Sequence, residues 1–271
     1  MKFRRPSSVV RHLNMLPKNP IRQALKEGRT VFGALDGFAS PDIVGMLGYG
    51  GCDFVIIDSE HGALNIETIQ ALVTAADASG TTPFVRVGGP DPRQILQALD
   101  VGALGIHVPT VNTKEETERC VQAARYAPLG KRGLHASIRA AQYGNYTPLE
   151  YLNWANQEPL MIIAIETVEG VKNLPDILKV PGVDMIFIGP ADLSSSLGIP
   201  FQMDNPLFLE TVTEIITRTR EAGIYVGTNV NTPEQAAMWI GKGAQLITFV
   251  VNGVIHRSLR AMLQSIKAVS A

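Results

Sequence analysis

The residues of this sequence that could do chemistry stand at the ends of short apolar runs. Asp58-Ser59-Glu60-His61 follows Phe54 to Ile57, and Arg86 closes Pro83-Phe84-Val85. Glu166-Thr167 follows Met161 to Ile165, and Gly189-Pro190-Ala191-Asp192 follows Met185 to Ile188. Glu166 and Asp192 have no basic neighbour in sequence. Two carboxylates facing one cavity repel each other unless one is protonated or a cation bridges them. Oxygen ligands in that number suit Mg²⁺ or Mn²⁺, with water and substrate completing the shell. The competing role is helix capping, which Asp192 could perform ahead of Leu193-Ser194. Arg86, in an otherwise apolar run, needs an anionic partner. That partner is either a substrate carboxylate or developing oxyanion, or a salt bridge to Asp58 or Glu60. His61 offers an imidazole, the natural general base near neutral pH; the plain alternative is a histidine on a loop surface. Such a base is usually held in one tautomer by a carboxylate, and Asp100, in Ala98-Leu99-Asp100-Val101, is the candidate. His107 reads as a hydrogen-bonded core histidine, and His135 as a substrate contact from a long loop.

The elements that must position these groups follow from periodicity. Eight runs read as continuously apolar: Val31–Leu35, Phe54–Asp58, Pro83–Val87, Gly105–Pro109, Met161–Glu166, Met185–Gly189, Tyr225–Asn229 and Leu246–Val251. Continuous rather than alternating hydrophobicity is expected of parallel strands covered on both faces. Segments of helical period lie between them: Ile66–Ser79, Asp91–Val101, Thr113–Tyr126, Val171–Val180, Pro206–Ala222 and Pro233–Lys242. Repeated strand-then-helix units in an α/β chain predict a closed (β/α)₈ TIM barrel, whose active site lies at the strand C-termini. Glycines at Gly48-Tyr49-Gly50-Gly51, Gly102, Gly182, Gly223 and Gly243 read as helix C-caps before strands. No Gly-x-Gly-x-x-Gly opens a helix after the first strand, which argues against a doubly wound dinucleotide fold. The long connection Pro128 to Pro159 carries Lys131, Arg132, His135 and Arg139, and its length predicts a functional loop.

A length of 271 residues matches one barrel, and 45% hydrophobic residues suffice for its core. Twenty-four Lys and Arg against 25 Asp and Glu leave no basic field for nucleic acid or an anionic membrane. Cys52 and Cys120 are too few for a disulfide framework. Residues 1–18 carry Arg4, Arg5 and Arg11 with no apolar segment behind them, so they read as an arm rather than a secretory signal. Residues 19–271 read as a single barrel domain, soluble and cytoplasmic.

The stretch Gly51-Cys52-Asp53-Phe54-Val55-Ile56-Ile57-Asp58-Ser59-Glu60-His61-Gly62 resembles the signature of the HpcH/HpaI aldolases. These are metal-dependent (class II) pyruvate aldolases that cleave 4-hydroxy-2-oxo acids, built on a phosphoenolpyruvate/pyruvate-type barrel. Five further stretches are similar to the same family in the same order: Phe84 to Val87, Leu99 to Gly102, Arg125 to Gly133, Ile165 to Thr167, and Ile188 to Ser194. The likeness runs from about Pro20 to the C-terminus.

The resemblance implies that Glu166 and Asp192 hold a divalent cation (Mg²⁺, Mn²⁺ or Co²⁺), that His61 is the catalytic base, and that Asp100 raises its basicity. It further implies that Arg86 stabilises charge on the substrate, that Ala191 offers a backbone N–H to the substrate carboxylate, and that the chain forms a homo-oligomer. A hexamer with a C-terminal helix exchanged between paired subunits is the expected form. Two positions depart from the family pattern. Ala164 stands where a Gln usually holds the keto acid, and Leu35 replaces a common aromatic residue. The expected activity is cleavage of a 4-hydroxy-2-oxo acid to pyruvate, or a related 2-keto acid, and an aldehyde. The alternatives are a 2-keto diacid decarboxylase at the same metal site and a catalytically silent ligand-binding barrel. No lysine stands at a strand end, which disfavours a Schiff-base mechanism.

Overall fold

The apolar runs are strands, each within one residue of its expected ends. In the computed structural model, which describes residues 16–269, they are β1 (Val31–Asp36), β2 (Phe54–Asp58), β3 (Thr82–Arg86), β4 (Gly105–Val108), β5 (Leu160–Ile165), β6 (Met185–Ile188), β7 (Tyr225–Asn229) and β8 (Leu246–Val250). All pair in parallel and in chain order, and β1 closes on β8 with Val31 opposite Leu246, giving a (β/α)₈ barrel. The helices are α1 (Pro20–Lys26), α2 (Pro41–Tyr49), α3 (Ile66–Ser79), α4 (Pro92–Asp100), α5 (Lys114–Ala124), α6 (Pro148–Gln157), α7 (Val168–Ile177), α8 (Pro190–Ser196), α9 (Pro206–Glu221), α10 (Pro233–Lys242) and α11 (Val251–Val269).

Two apolar layers follow from the period of two along each strand. Val55, Ile57, Val85, Ile106, Val108, Ile163, Ile165 and Ile186 face outward and meet the helices. Phe54, Ile56, Phe84, Leu160, Ile162, Met185, Phe187 and Leu246 fill the barrel interior. Each such fully buried side chain contributes roughly 1.5–3 kcal/mol of transfer free energy. The same alternation turns Asp58, Arg86, His107, Ala164 and Glu166 inward. The end where the strands begin is plugged by α1, whose Ile21, Ala24 and Leu25 join the interior cluster. Polar residues are therefore left to line the opposite end, where the strands finish.

Gly51, Gly102, Gly223 and Gly243 adopt positive φ, between +74° and +111°, at the ends of their helices as the C-cap reading requires. Gly182 is also left-handed but lies four residues beyond Leu178, the cap of α7, so it turns the chain toward β6 rather than ending the helix. At Gly243 the left-handed residue is itself the cap of α10.

Two expectations are corrected. Helix α7 starts at Val168, three residues earlier than Val171, because the Thr167 hydroxyl accepts from Gly170 N–H at 2.9 Å and caps it. The connection 128–159 holds a full helix, α6, started by a capping box between Thr147 and Glu150. That connection runs from α5 to β5, so it belongs to the end where strands begin. Arg132 Nη2 there donates to Asp100 at 2.6 Å, and Arg139 Nη1 donates to the Val101 carbonyl at 2.9 Å. Of the expected arm, residues 1–15 lie outside the described residues, while the Pro17 carbonyl accepts from Trp154 Nε1 at 2.7 Å.

Candidate active site

A cavity of about 330 Å³ opens at the end where the strands finish. Its walls include Leu35, Asp58, His61, Arg86, Glu166 and Asp192. The sequence assigned these side chains to separate strand ends, and the closed barrel brings them to one mouth.

Arg86 comes from the last residue of β3, opposite Asp58 in the β2–β3 register. Its Nε and Nη2 donate to the two oxygens of Asp58 at 2.8 and 2.6 Å, and Nη1 lies 3.1 Å from Glu60 Oε2. Burial alone would push the Asp58 carboxyl up, but the paired guanidinium outweighs it and holds the carboxyl below the ordinary aspartate range. Asp58 Oδ1 also accepts from the backbone N–H of Glu60 and of His61, so one carboxylate fixes both the arginine and the turn. The salt bridge considered from sequence is thus present, and it presents Arg86 to the cavity rather than withdrawing it.

Glu166 is buried just past the end of β5. Its Oε1 accepts from Thr110 N–H at 2.6 Å, with Thr110 at φ +55°, an unusual conformation for a β-branched residue. Oε2 packs on Gly189, where any Cβ would collide with it. Burial raises the Glu166 carboxyl above its usual range; Thr110 opposes this, Asp192 and Glu60 add to it, and Arg86 opposes. Arg86 is therefore the cationic neighbour that the sequence did not reveal. Asp192 is exposed, within the first turn of α8, and makes no capping hydrogen bond there; the position before the helix is Gly189. The capping alternative for Asp192 is not realised.

The pair fits a divalent cation on the chemistry of its donors. Two carboxylates, one of them buried and disfavoured as an anion, share a cavity that leaves room for water and substrate oxygens. Among the described residues no group of three or more His, Cys, Asp or Glu converges on one point, so the protein would supply only these two ligands.

His61 lies on the rim with a 67% exposed side chain, its Nε2 3.7 Å from Glu60 Oε2. Asp100 is not brought to it within one chain. It ends α4, on the side where strands begin, and pairs with Arg132. Ala191 lines the cavity, in the first turn of α8, where backbone N–H groups lack intrahelical partners. Ala164 is fully buried and is not part of the cavity surface.

His135 is exposed and off the cavity. His107 corrects its expectation in the other direction. It is buried, but Nδ1 has no partner, and the ring lines the cavity. Sequence reasoning also missed Thr110, Asn229 and Asn252. Asn229 ends β7, so applying the strand-end rule to amides as well as ionisable groups would have found it. Thr110 acts through its backbone and left no signal.

The family model for HpcH/HpaI aldolase/citrate lyase matches residues 36–257. The chain is 37% identical over 237 residues to 4-hydroxy-2-oxo-heptane-1,7-dioate aldolase of Shigella flexneri, covering 88% of this chain and 87% of the relative. Among solved structures, citrate synthase SbnG is similar with a TM-score of 0.84 at 35% identity, over 92% of this chain and 98% of that one. An HpcH/HpaI aldolase from Desulfitobacterium hafniense is similar with a TM-score of 0.88 at 28% identity, over 93% and 97%.

Proposed function

Because this chain belongs to the HpcH/HpaI aldolase/citrate lyase family and is therefore an enzyme, a carbon–carbon lyase, we propose that it cleaves 4-hydroxy-2-oxo acids to pyruvate or a related 2-keto acid and an aldehyde. The observation that carries this reading is the meeting of Glu166 and Asp192 with Arg86 and His61 on one cavity. Glu166 and Asp192 would hold a divalent cation, with Mg²⁺, Mn²⁺ and Co²⁺ the candidates. When bound, such a cation supplies Lewis acidity that draws charge from the ketone of the keto acid.

The chain's own residues do the rest. His61 removes the proton of the 4-hydroxyl group. As the C3–C4 bond opens, its electron pair stays on the keto-acid half and the aldehyde carbonyl forms. Arg86, pre-oriented by Asp58, stabilises negative charge on the substrate oxygens without rearranging. The Ala191 N–H receives the substrate carboxylate. Proton return to C3 completes the cleavage.

The role implied for Asp100 cannot be met inside one chain, so under this reading the carboxylate beside His61 comes from a second copy. That gives the proposed homo-oligomer, a hexamer on the resemblance, a catalytic reason. A cytoplasmic setting belongs to the same proposal. Cys52 and Cys120 are both free thiols, the state a reducing compartment maintains; cell fractionation checks it. Among the described residues no helix is long and apolar enough to cross a membrane.

The test is metal removal. Cleavage of a 4-hydroxy-2-oxo diacid, followed by pyruvate release, is expected to stop after EDTA treatment and to return with Mg²⁺, Mn²⁺ or Co²⁺. His61→Ala in the reloaded enzyme is expected to lose ~10²–10⁴ in kcat. Full turnover after verified metal removal overturns the reading, and an unchanged kcat for the variant assigns the base elsewhere.

A further inference from the structure

His107 is the ionisable group of the cavity that the mechanism above leaves unused. It faces inward from β4, opposite Arg86 in the β3–β4 register, and is only 2% exposed. Asp58, Arg86 and Glu166 each have a hydrogen-bond partner from the protein. The imidazole has none among the described residues, and its Nδ1 is buried without one. Nδ1 is closed off from the cavity and stays unpaired whatever binds. The nitrogen that can meet a ligand is Nε2, which no group among the described residues pairs and which lies on the cavity wall.

The ring is held on that wall by its neighbours. Its centroid lies 4.5 Å from that of Phe187 on β6, so the two rings meet across the intervening strand β5. On β5 the register partner of His107 is Ile162 and that of Phe187 is Ala164. The small Ala164 side chain lets the rings close in front of it, and together they form the inner wall of the cavity. Burial, with the Arg86 guanidinium adding to it, pushes the His107 imidazole down to about 3, so it is neutral at physiological pH. A neutral ring keeps one N–H donor, adding a hydrogen bond without a second cation beside Arg86.

The orientation of the substrate decides which atom meets it. His61 stands exposed on the rim, so the C4 hydroxyl it deprotonates points outward. The carboxylate and ketone end of the molecule then points inward, toward the ring.

We propose that His107 is a substrate-contacting residue, whose imidazole N–H donates to an oxygen at the carboxylate–ketone end of the bound 2-keto acid. This rests on the aldolase reading of the site. It adds a contact from the inner wall to those made at the strand ends, and it makes keto-acid affinity depend on β4 as well as on the strand-end ligands.

The experiment measures binding rather than turnover. Oxalate, which presents two adjacent oxygen pairs like the enolate of pyruvate, and pyruvate itself are titrated calorimetrically into Mn²⁺-loaded wild type, His107→Leu and His107→Gln. Melting temperatures are recorded for each unliganded protein. His107→Leu is expected to bind both ligands about tenfold or more weakly, while melting at the wild-type temperature or above it, because an unpaired polar group has been removed. His107→Gln, which keeps a donor, is expected to recover part of the affinity. Oxalate affinity of His107→Leu within twofold of wild type overturns the proposal, as does equal loss in both variants. So does failure of His107→Leu to fold, since that would show the ring to be a needed structural partner. If wild type itself binds neither ligand with Mn²⁺, the keto-acid reading of the site is what fails.

Discussion

Asp58 serves two neighbours with one carboxylate, Arg86 on one side and the turn bearing His61 on the other. The sequence placed both residues at strand ends, because parallel strands with period-two alternation deliver residues 58, 86 and 166 to the same interior face. The pairing of Arg86 with Asp58 could be raised only as one of two roles for the arginine, because it depends on the β2–β3 register, which composition does not set. A second aspartate shows the same limit. Asp36 ends β1 fully buried, with Oδ1 accepting from Phe38 N–H and Oδ2 unpaired, and burial pushes its carboxyl up to about 6 from 3.8. The folded state therefore holds this proton at pH values where the unfolded chain has released it. The resulting penalty is absent below about 4, grows as pH rises toward 6, and is complete above that. Asp36→Asn is expected to stabilise the protein by roughly 1–3 kcal/mol at pH 7.5 and by much less at pH 4.5. Urea unfolding of both proteins at both pH values measures the difference, and an equal effect at the two pH values would refute the assignment.

At the scale of elements, the strands were readable because each is a short apolar run between turn signals. The helices that periodicity did not name are the short α1, α2, α6 and α8, and α11, which leaves β8 with no turn signal to separate it from the strand. The sequence of α6 did carry a capping box, but its place in a long polar connection hid it. The connection itself was read as a loop near chemistry, whereas following α5 it had to lie at the opposite end from the cavity. Strand β5 holds the most informative departure. Ala164, where the resemblance leads one to expect Gln, lies between β4 and β6, whose rings of His107 and Phe187 touch across it. A glutamine there would have to push them apart in a fully buried layer. Ala164→Gln is expected to cost ~1–3 kcal/mol by overpacking and to lower the melting temperature measurably. A variant that melts at the wild-type temperature would show that the space is open after all, and that the rings do not owe their contact to the small residue.

For the whole molecule, the element that fits a lone barrel least well is α11. It leaves β8 without a break and runs 19 residues, yet only Val251 within it is buried. Leu259, Met262, Leu263 and Ile266 recur at helical spacing on one exposed face. Apolar patches of this kind mark contact surfaces, in keeping with the proposed homo-oligomer. Leu263→Asp is expected to reduce the mass measured by light scattering after gel filtration, and an unchanged mass would remove this face from the assembly. The helix also has a thermodynamic corollary. An isolated helix of this length in water is only marginally stable, since most helical stability in proteins comes from packing. Its folding is then governed by mass action: dilution below the dissociation constant of the assembly should melt α11 while the barrel stays intact. The ellipticity of a dilute solution would report subunit concentration, and the C-terminus would become the first place a protease cuts.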